Sequence, residues 1–381
     1  MNASDLIDKS PGWELPTPPQ FILVMKTIGF ALHAVPMNLW YAGIIVALLL
    51  ACLGSEQARR FSARFMRQMP VIIALGINFG IVPLLFAQVG FAPIFYPATI
   101  LMAWPWLLII VLLLPAYYGV YIYSHALAAH GDRMPWLPKT AGWIAAIFFP
   151  TIGFIFANAM SLMQNVAGWE KLYLSHNYYG AALGTALNTG DPRLWPRWLM
   201  MFGLALTTTA AWIVFDAGWF ARRESEAYHA WARSFAWKLY LLGMIWFAAA
   251  GSWYVFGTWP KETKDVMFAM PWRLLTGVTA LAPGMVWLWL LYAAQGAGPI
   301  SRSLATAVGL LQFGVILFNA VSRQVVQQLE IAPAYDILKQ PVNAQWGPMW
   351  IFWGVAAVAI VAIVWMVYQV ARLPVGAAEK E

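Results

Sequence analysis

Cysteine is almost missing from this chain of 381 residues, where Cys52 stands alone. One thiol excludes an internal disulfide, a four-cysteine iron–sulfur centre and a C-x-x-C-H attachment site, so any haem held by this chain alone is bound non-covalently. Charge is scarce too: Asp, Glu, Lys and Arg make up 10% of residues against 61% hydrophobic, a balance that no soluble globular class has. Basic clusters interleaved with solvent-facing aromatics do not occur. The formal charge of +7 therefore reads as juxtamembrane Lys and Arg and not as a nucleic-acid footprint. No nucleophile triad, P-loop or dinucleotide fingerprint is present, and no short-period repeat. The stretch before residue 20 holds Asp5, Asp8 and Glu14 but neither a basic n-region nor a small-residue cleavage site, so the first apolar segment is expected to be a retained span.

What is abundant is long apolar runs. Hydropathy and length predict an all-α polytopic membrane protein with nine transmembrane helices in a bundle, at about 21–53, 69–88, 97–123, 141–163, 198–220, 235–256, 272–293, 303–320 and 348–370. The organisation expected is an outer amino-terminal segment over 1–19, a membrane domain over 20–372 and a cytoplasmic tail over 373–381. Arg59, Arg60, Arg64 and Arg67 mark the segment Gly54 to Gln68 as a cytoplasmic loop. With the amino terminus outside, 13 Lys and Arg fall on the inner side and 9 on the outer, which orients the carboxyl terminus to the cytoplasm. The outer segment Asn165 to Arg197 is too long for a simple connection, so it is expected to pack on itself or on a partner, and Val321 to Gly347 is a second outer segment through which a scaffold would anchor partners.

The first span carries the most informative residue, His33. An ionisable side chain inside an apolar run is costly, and it marks a functional candidate. Pro36 follows within one turn and is expected to kink the helix, which suits an interior, pocket-facing position better than a lipid-facing one. The imidazole fits an axial haem ligand, the candidate metal position; a buried histidine satisfied between helices is the alternative. Met37 and Trp40 lie on the same helical face, and Lys26 lies two turns outward, where its head would snorkel or meet a haem propionate.

Met200 and Met201 are candidate thioether ligands, for which packing is the competing reading. Asn78, Asn158, Gln88 and Gln164 sit in or at the ends of spans and need partners, whether a neighbouring helix or a ligand. Asp216 is expected in an interfacial ion pair near Arg222 and Arg223, and Arg273 and Arg323 flank span ends, placed for propionates, headgroups or a partner's acidic patch. His125, His130, His176 and His229 lack metal-ligand spacing. No catalytic residue stands out.

Several short motifs fall in the order found in subunit I of the cytochrome bd quinol oxidases, which most of the chain from about residue 20 resembles. They are the histidine and proline of the first span, Gly76-Ile77-Asn78-Phe79-Gly80 in the second, and Ala157-Asn158 through Met163-Gln164-Asn165 at the end of the fourth. Arg233-Ser234-Phe235-Ala236, Ser322-Arg323-Gln324 and Ala371-Arg372-Leu373-Pro374 continue the series. Departures from that family are as informative. The stretches matching its outer haem ligands read Arg197-Trp198-Leu199-Met200-Met201 and Trp272-Arg273-Leu274-Leu275, without its histidine or its methionine. Met102 to Tyr123 has none of its acidic residues, Phe318-Asn319-Ala320-Val321 lacks its glutamate, and its long quinol loop shrinks to Gly257 to Pro271. The resemblance thus implies a membrane subunit of a respiratory electron-transfer complex in a bacterial inner membrane. Such a subunit would hold at most one b-type haem on His33, take electrons from quinol, pass them to an outer-face cytochrome or other redox partner beside further membrane subunits, and not reduce oxygen by itself. Lys26, Met37, Asn78, Arg273 and Arg323 are the other cofactor-contact candidates. A cofactor-free scaffold keeping the same fold is the second reading.

Overall fold

The computed structural model describes residues 14–372. It is helical nearly throughout. In chain order the helices are α1 (Pro19–Leu53), α2 (Glu56–Gly90), α3 (Ala92–Leu101), α4 (Ala103–His130), α5 (Trp136–Gln164), α6 (Trp169–Ser175) and α7 (Leu194–Trp219). There follow α8 (Glu226–Thr258), α9 (Lys261–Met267), α10 (Trp272–Ala293), α11 (Arg302–Ile331) and α12 (Trp346–Arg372). Among the described residues, eight of these are long and apolar enough to cross a bilayer: α1, α2, α4, α5, α7, α8, α10 and α11. The chain is an all-α polytopic membrane protein. The expected tail 373–381 and residues 1–13 of the expected outer segment lie outside the described residues.

Three span-forming helices begin on a serine whose hydroxyl accepts from the third residue on: Ser55 from the Ala58 amide, Ser225 from Tyr228 and Ser301 from Leu304. Glu56 and Glu226 add negative charge at two of those positive helix ends. Ser55 thereby starts a helix inside the segment expected as the loop Gly54 to Gln68. Glu56 to Gln68 forms the first turns of α2, because its Arg-rich face is amphipathic and not unstructured. The gap expected between the spans 69–88 and 97–123, and the start of the latter at Pro97, are also corrected. Pro97 lies inside the short α3, and α4 begins only at Ala103. The apolar run is unbroken there. The break is held by the loop between α6 and α7, whose Gly184 carbonyl accepts from the Trp104 amide (2.9 Å) while the Ala186 amide donates to the Leu101 carbonyl (2.9 Å).

The segment between α5 and α7 packs on itself and on the bundle. It contains α6 and a two-stranded antiparallel hairpin, β1 (Asn177–Tyr178) with β2 (Ala181–Ala182). The Asn188 amide donates to the Asn158 side chain on α5 (3.0 Å), and Asp191 accepts from Ser161 (2.9 Å) and from Arg193 Nε (3.0 Å). Burial disfavours the Asp191 carboxylate, but the Arg193 hydrogen bonds and charge outweigh it and hold its pKa below the ordinary value. A depressed carboxylate stabilises the fold above its unfolded pKa and gives that stability up as pH falls through the folded one. Resistance to thermal unfolding in detergent is therefore expected to fall below about pH 4, and Asp191→Asn to flatten that dependence while lowering stability at neutral pH by about 3 kcal/mol.

α1 and α7 are the two most buried spans, so the remaining helices surround them. α8 lies against α7 through Gly203 and Gly243, where a Cβ on either would come within 2.8 Å of the other helix's backbone. α12 meets α1 through the rings of Trp353 and Phe21 (5.9 Å), and its Trp350, Ile351 and Val355 are exposed as a lipid-facing surface requires. Leu15 pairs with the stretch before α12, donating to the Pro341 carbonyl and accepting from the Asn343 amide.

Candidate functional site

Pro36 sits inside α1 and offers no N–H, and three residues later the helix widens to π-winding over Leu39–Gly43. In that widened turn Trp40 stacks on Phe149 of α5 (5.6 Å), and Tyr41 packs where Gly153 lacks a side chain. About two turns toward the start of α1, His33 meets α2. Its Nδ1 lies 2.7 Å from the Gly76 carbonyl; a carbonyl only accepts, so Nδ1 carries the hydrogen and Nε2 is left with a lone pair. Among the described residues nothing hydrogen-bonds that Nε2. Gly76 and Gly80 are one helical turn apart and make the approach possible: a Cβ on Gly80 would stand 2.8 Å from the ring, and one on Gly76 would strike Trp40.

His33 lines a cavity of about 310 Å³ together with Lys26, Met37, Met160, Met201 and Arg323. A second cavity of about 410 Å³ adjoins it through Phe30, Met37, Met160, Met201, Arg323 and Gln327, and reaches Arg273, Asn319 and Ser322 between α8, α10 and α11. Both are within the size of small-molecule sites and mostly apolar, with a few polar groups converging.

Electrostatics set these cavities apart from a packing defect. Lys26 is buried; its Nζ donates to Gln324 (2.9 Å) and Gln327 (2.6 Å) and lies over the Phe91 ring, so it does not snorkel. Arg323 lies over Phe30 at 4.2 Å. Neither cation has a carboxylate partner among the described residues, nor does Arg273. The nearby Glu330 is taken by Arg197 (2.5 and 2.6 Å) and approached by Arg193 (3.7 Å), and Arg197 also donates to Tyr254 (2.9 Å). Cations left without counter-charge at an apolar cavity are what an anionic ligand needs.

Of the expected site residues, the fold brings Lys26, His33, Met37 and Arg323 to the first cavity and Met37, Arg273 and Arg323 to the second. Asn78 joins neither. It lies between Gly76 and Gly80 on the opposite, exposed face of α2 and returns its amide to the Ala74 carbonyl (2.8 Å). Arg323 is not at the end of a short span, since α11 runs to Ile331 and carries it inside the bundle. Asp216 is in an ion pair, as expected, but with Arg64 of α2 (3.2 Å), supported by Gln68 and Tyr228, and not with Arg222 or Arg223. Gln324, Gln327, Glu330 and Tyr254 were not anticipated. The first three were open to detection, because Ala320, Arg323, Gln327 and Glu330 continue a spacing of three and four across the stretch read as a loop. No family model and no curated protein matches this chain.

Do these residues fit a b-type haem? A histidine with Nδ1 fixed by a backbone carbonyl and Nε2 unpartnered is how proteins orient an imidazole toward a metal. Lys26 stands seven residues before His33 on α1, about 10 Å along the axis. That is comparable with the reach from a porphyrin centre to its propionates. The donor set fits.

Proposed function

We propose that this protein is the membrane subunit of a respiratory electron-transfer complex, holding one non-covalent b-type haem on His33. The observation that carries the reading is the pairing of an imidazole with an unpartnered Nε2 and two cations without carboxylates in one cavity. When bound, haem supplies a one-electron carrier within the membrane. The chain would do the positioning: Gly76 fixes the His33 tautomer, Gly80 leaves room for its ring, Lys26 and Arg323 would offset the charge of the propionates, and Phe149, Phe156 and Trp40 would keep water out. In this reading quinol enters the second cavity from the lipid side. Its ring would rest on the apolar lining, with Asn319, Ser322 and Gln327 within the same pocket as hydrogen-bonding groups.

The topology that goes with this function has nine spans, α12 being the ninth, with the amino terminus outside and the carboxyl terminus cytoplasmic in a bacterial inner membrane. The excess of Lys and Arg at the Ser-capped helix ends supports it. Electrons would leave at the outer face to a cytochrome or other redox protein docked beside the loop of α6 and the β-hairpin. Oxygen reduction is not part of the proposal, since the residues that would hold further haems are replaced.

An anaerobic quinol titration of membranes containing the protein tests this. A b-type absorption band that quinol reduces supports it. A band that dithionite reduces and quinol does not would remove quinol from the scheme. A featureless spectrum with partners still co-purifying would leave the cofactor-free scaffold.

A further inference from the structure

Three thioethers line the His33 cavity: Met37, Met160 and Met201. We propose that Met201 is the second axial ligand to the iron, so that the site is a His/Met pair bridging α1 and α7. The inference rests on the haem reading above and adds the residue that closes the other side of the ring.

Met37 is excluded by geometry. It is four residues from His33 on one helix, so both side chains leave α1 on the same side, whereas axial ligands must face each other across a plane. Met160 and Met201 come from other helices. They differ in what holds them. Both stand in the wall shared by the two cavities, but Met160 packs against the buried core while Met201 is not among the side chains packed on either buried cluster. Its neighbour Met200 is packed and lines only the second cavity.

Height along the bundle agrees. Asn38 donates to Thr208 at 2.9 Å, which fixes the register of α1 against α7. As first and fifth of the spanning helices, the two run in the same direction. His33 is five residues outward of Asn38, and Met201 is seven residues outward of Thr208. Two residues of difference place imidazole and thioether within about 3 Å of each other in height. Trans ligands on one iron need that match. A thioether is a soft donor that favours ferrous iron and raises the potential over a bis-nitrogen site, as suits an acceptor from quinol.

The test compares the purified wild-type protein with Met201→Leu, Met201→His and Met160→Leu. Wild type is expected to show a sulfur-to-iron charge-transfer band in the near infrared when ferric and to exclude carbon monoxide when ferrous. Met201→Leu, a volume-conserving change, should keep the wild-type haem content, lose the band, lower the midpoint potential and bind carbon monoxide. Met201→His should keep haem and exclude carbon monoxide without the sulfur band, and Met160→Leu should keep the sulfur band. A sulfur band that survives Met201→Leu or disappears with Met160→Leu overturns the assignment, as does loss of haem from both Met201 variants, while the His33 haem itself stands. Absence of haem from the wild-type protein ends the haem reading and this one together.

Discussion

If His33 holds haem as proposed, valine in place of Gly80 is expected to abolish haem binding nearly as thoroughly as loss of the imidazole. A Cβ at that position would stand 2.8 Å from Cε1 and from Nδ1 of His33, closer than real side chains approach, so one of the two must move. The ring cannot retreat without breaking its 2.7 Å bond to the Gly76 carbonyl, which fixes both tautomer and direction. A β-branched side chain adds bulk on top of that first carbon. Groups that orient a metal ligand are worth about 10- to 100-fold in affinity, and Gly80→Val removes the orientation while leaving the ligand in the sequence. Haem per chain, measured after extraction into alkaline pyridine, should fall by about that factor. Gly80→Ala should give an intermediate loss. Gly314→Ala, at a glycine of α11 with no atom within 4 Å of its would-be Cβ, should change nothing.

The second large effect concerns Glu330. Its side chain is 1% exposed and is the acceptor for Arg197, which also holds Tyr254, with Arg193 close by. Replacing it by glutamine leaves Arg197 buried without an anion. Breaking a buried pair from one side costs about 3–5 kcal/mol, whereas replacing both partners by apolar groups of similar size is often neutral. Glu330→Gln is therefore expected to lower thermal stability in detergent substantially, and Glu330→Gln with Arg197→Met to recover most of the loss. If the double variant is no better than the single one, the carboxylate acts through something other than the Arg197 charge. Because Tyr254 and Arg197 also line the second cavity, the single variant should disturb that wall as well.

The class of the fold was open to reading because a bilayer filters sequence so strongly. Runs of about twenty apolar residues have few other uses, and α10 begins and ends where hydropathy alone puts it. Boundaries failed where amphipathic or tertiary forces acted. The Arg-rich start of α2 continues a helix that begins on Ser55, α3 is cut from α4 by hydrogen bonds from a loop eighty or more residues on, and α11 is carried through polar residues by a face that contacts the cavity. The site was half legible. His33 declared itself by its cost in an apolar span, and Lys26 by its position two turns away. Their lack of counter-charge was invisible, because it depends on Glu330 being claimed by another helix. Asn78 misled for the reverse reason: a motif resemblance placed it near glycines that matter, but a helix turns two residues onto opposite faces.

The account depends on His33 being a metal ligand and not a buried polar residue satisfied by its neighbours. The most direct measurement is the reduced-minus-oxidised visible spectrum of the purified protein beside that of His33→Ala, at equal chain concentration. The expected result is a b-type band at about one haem per chain in the wild type and its disappearance in the variant, with both proteins eluting as the same folded species. A band that persists undiminished in His33→Ala, or no band in either protein, contradicts it.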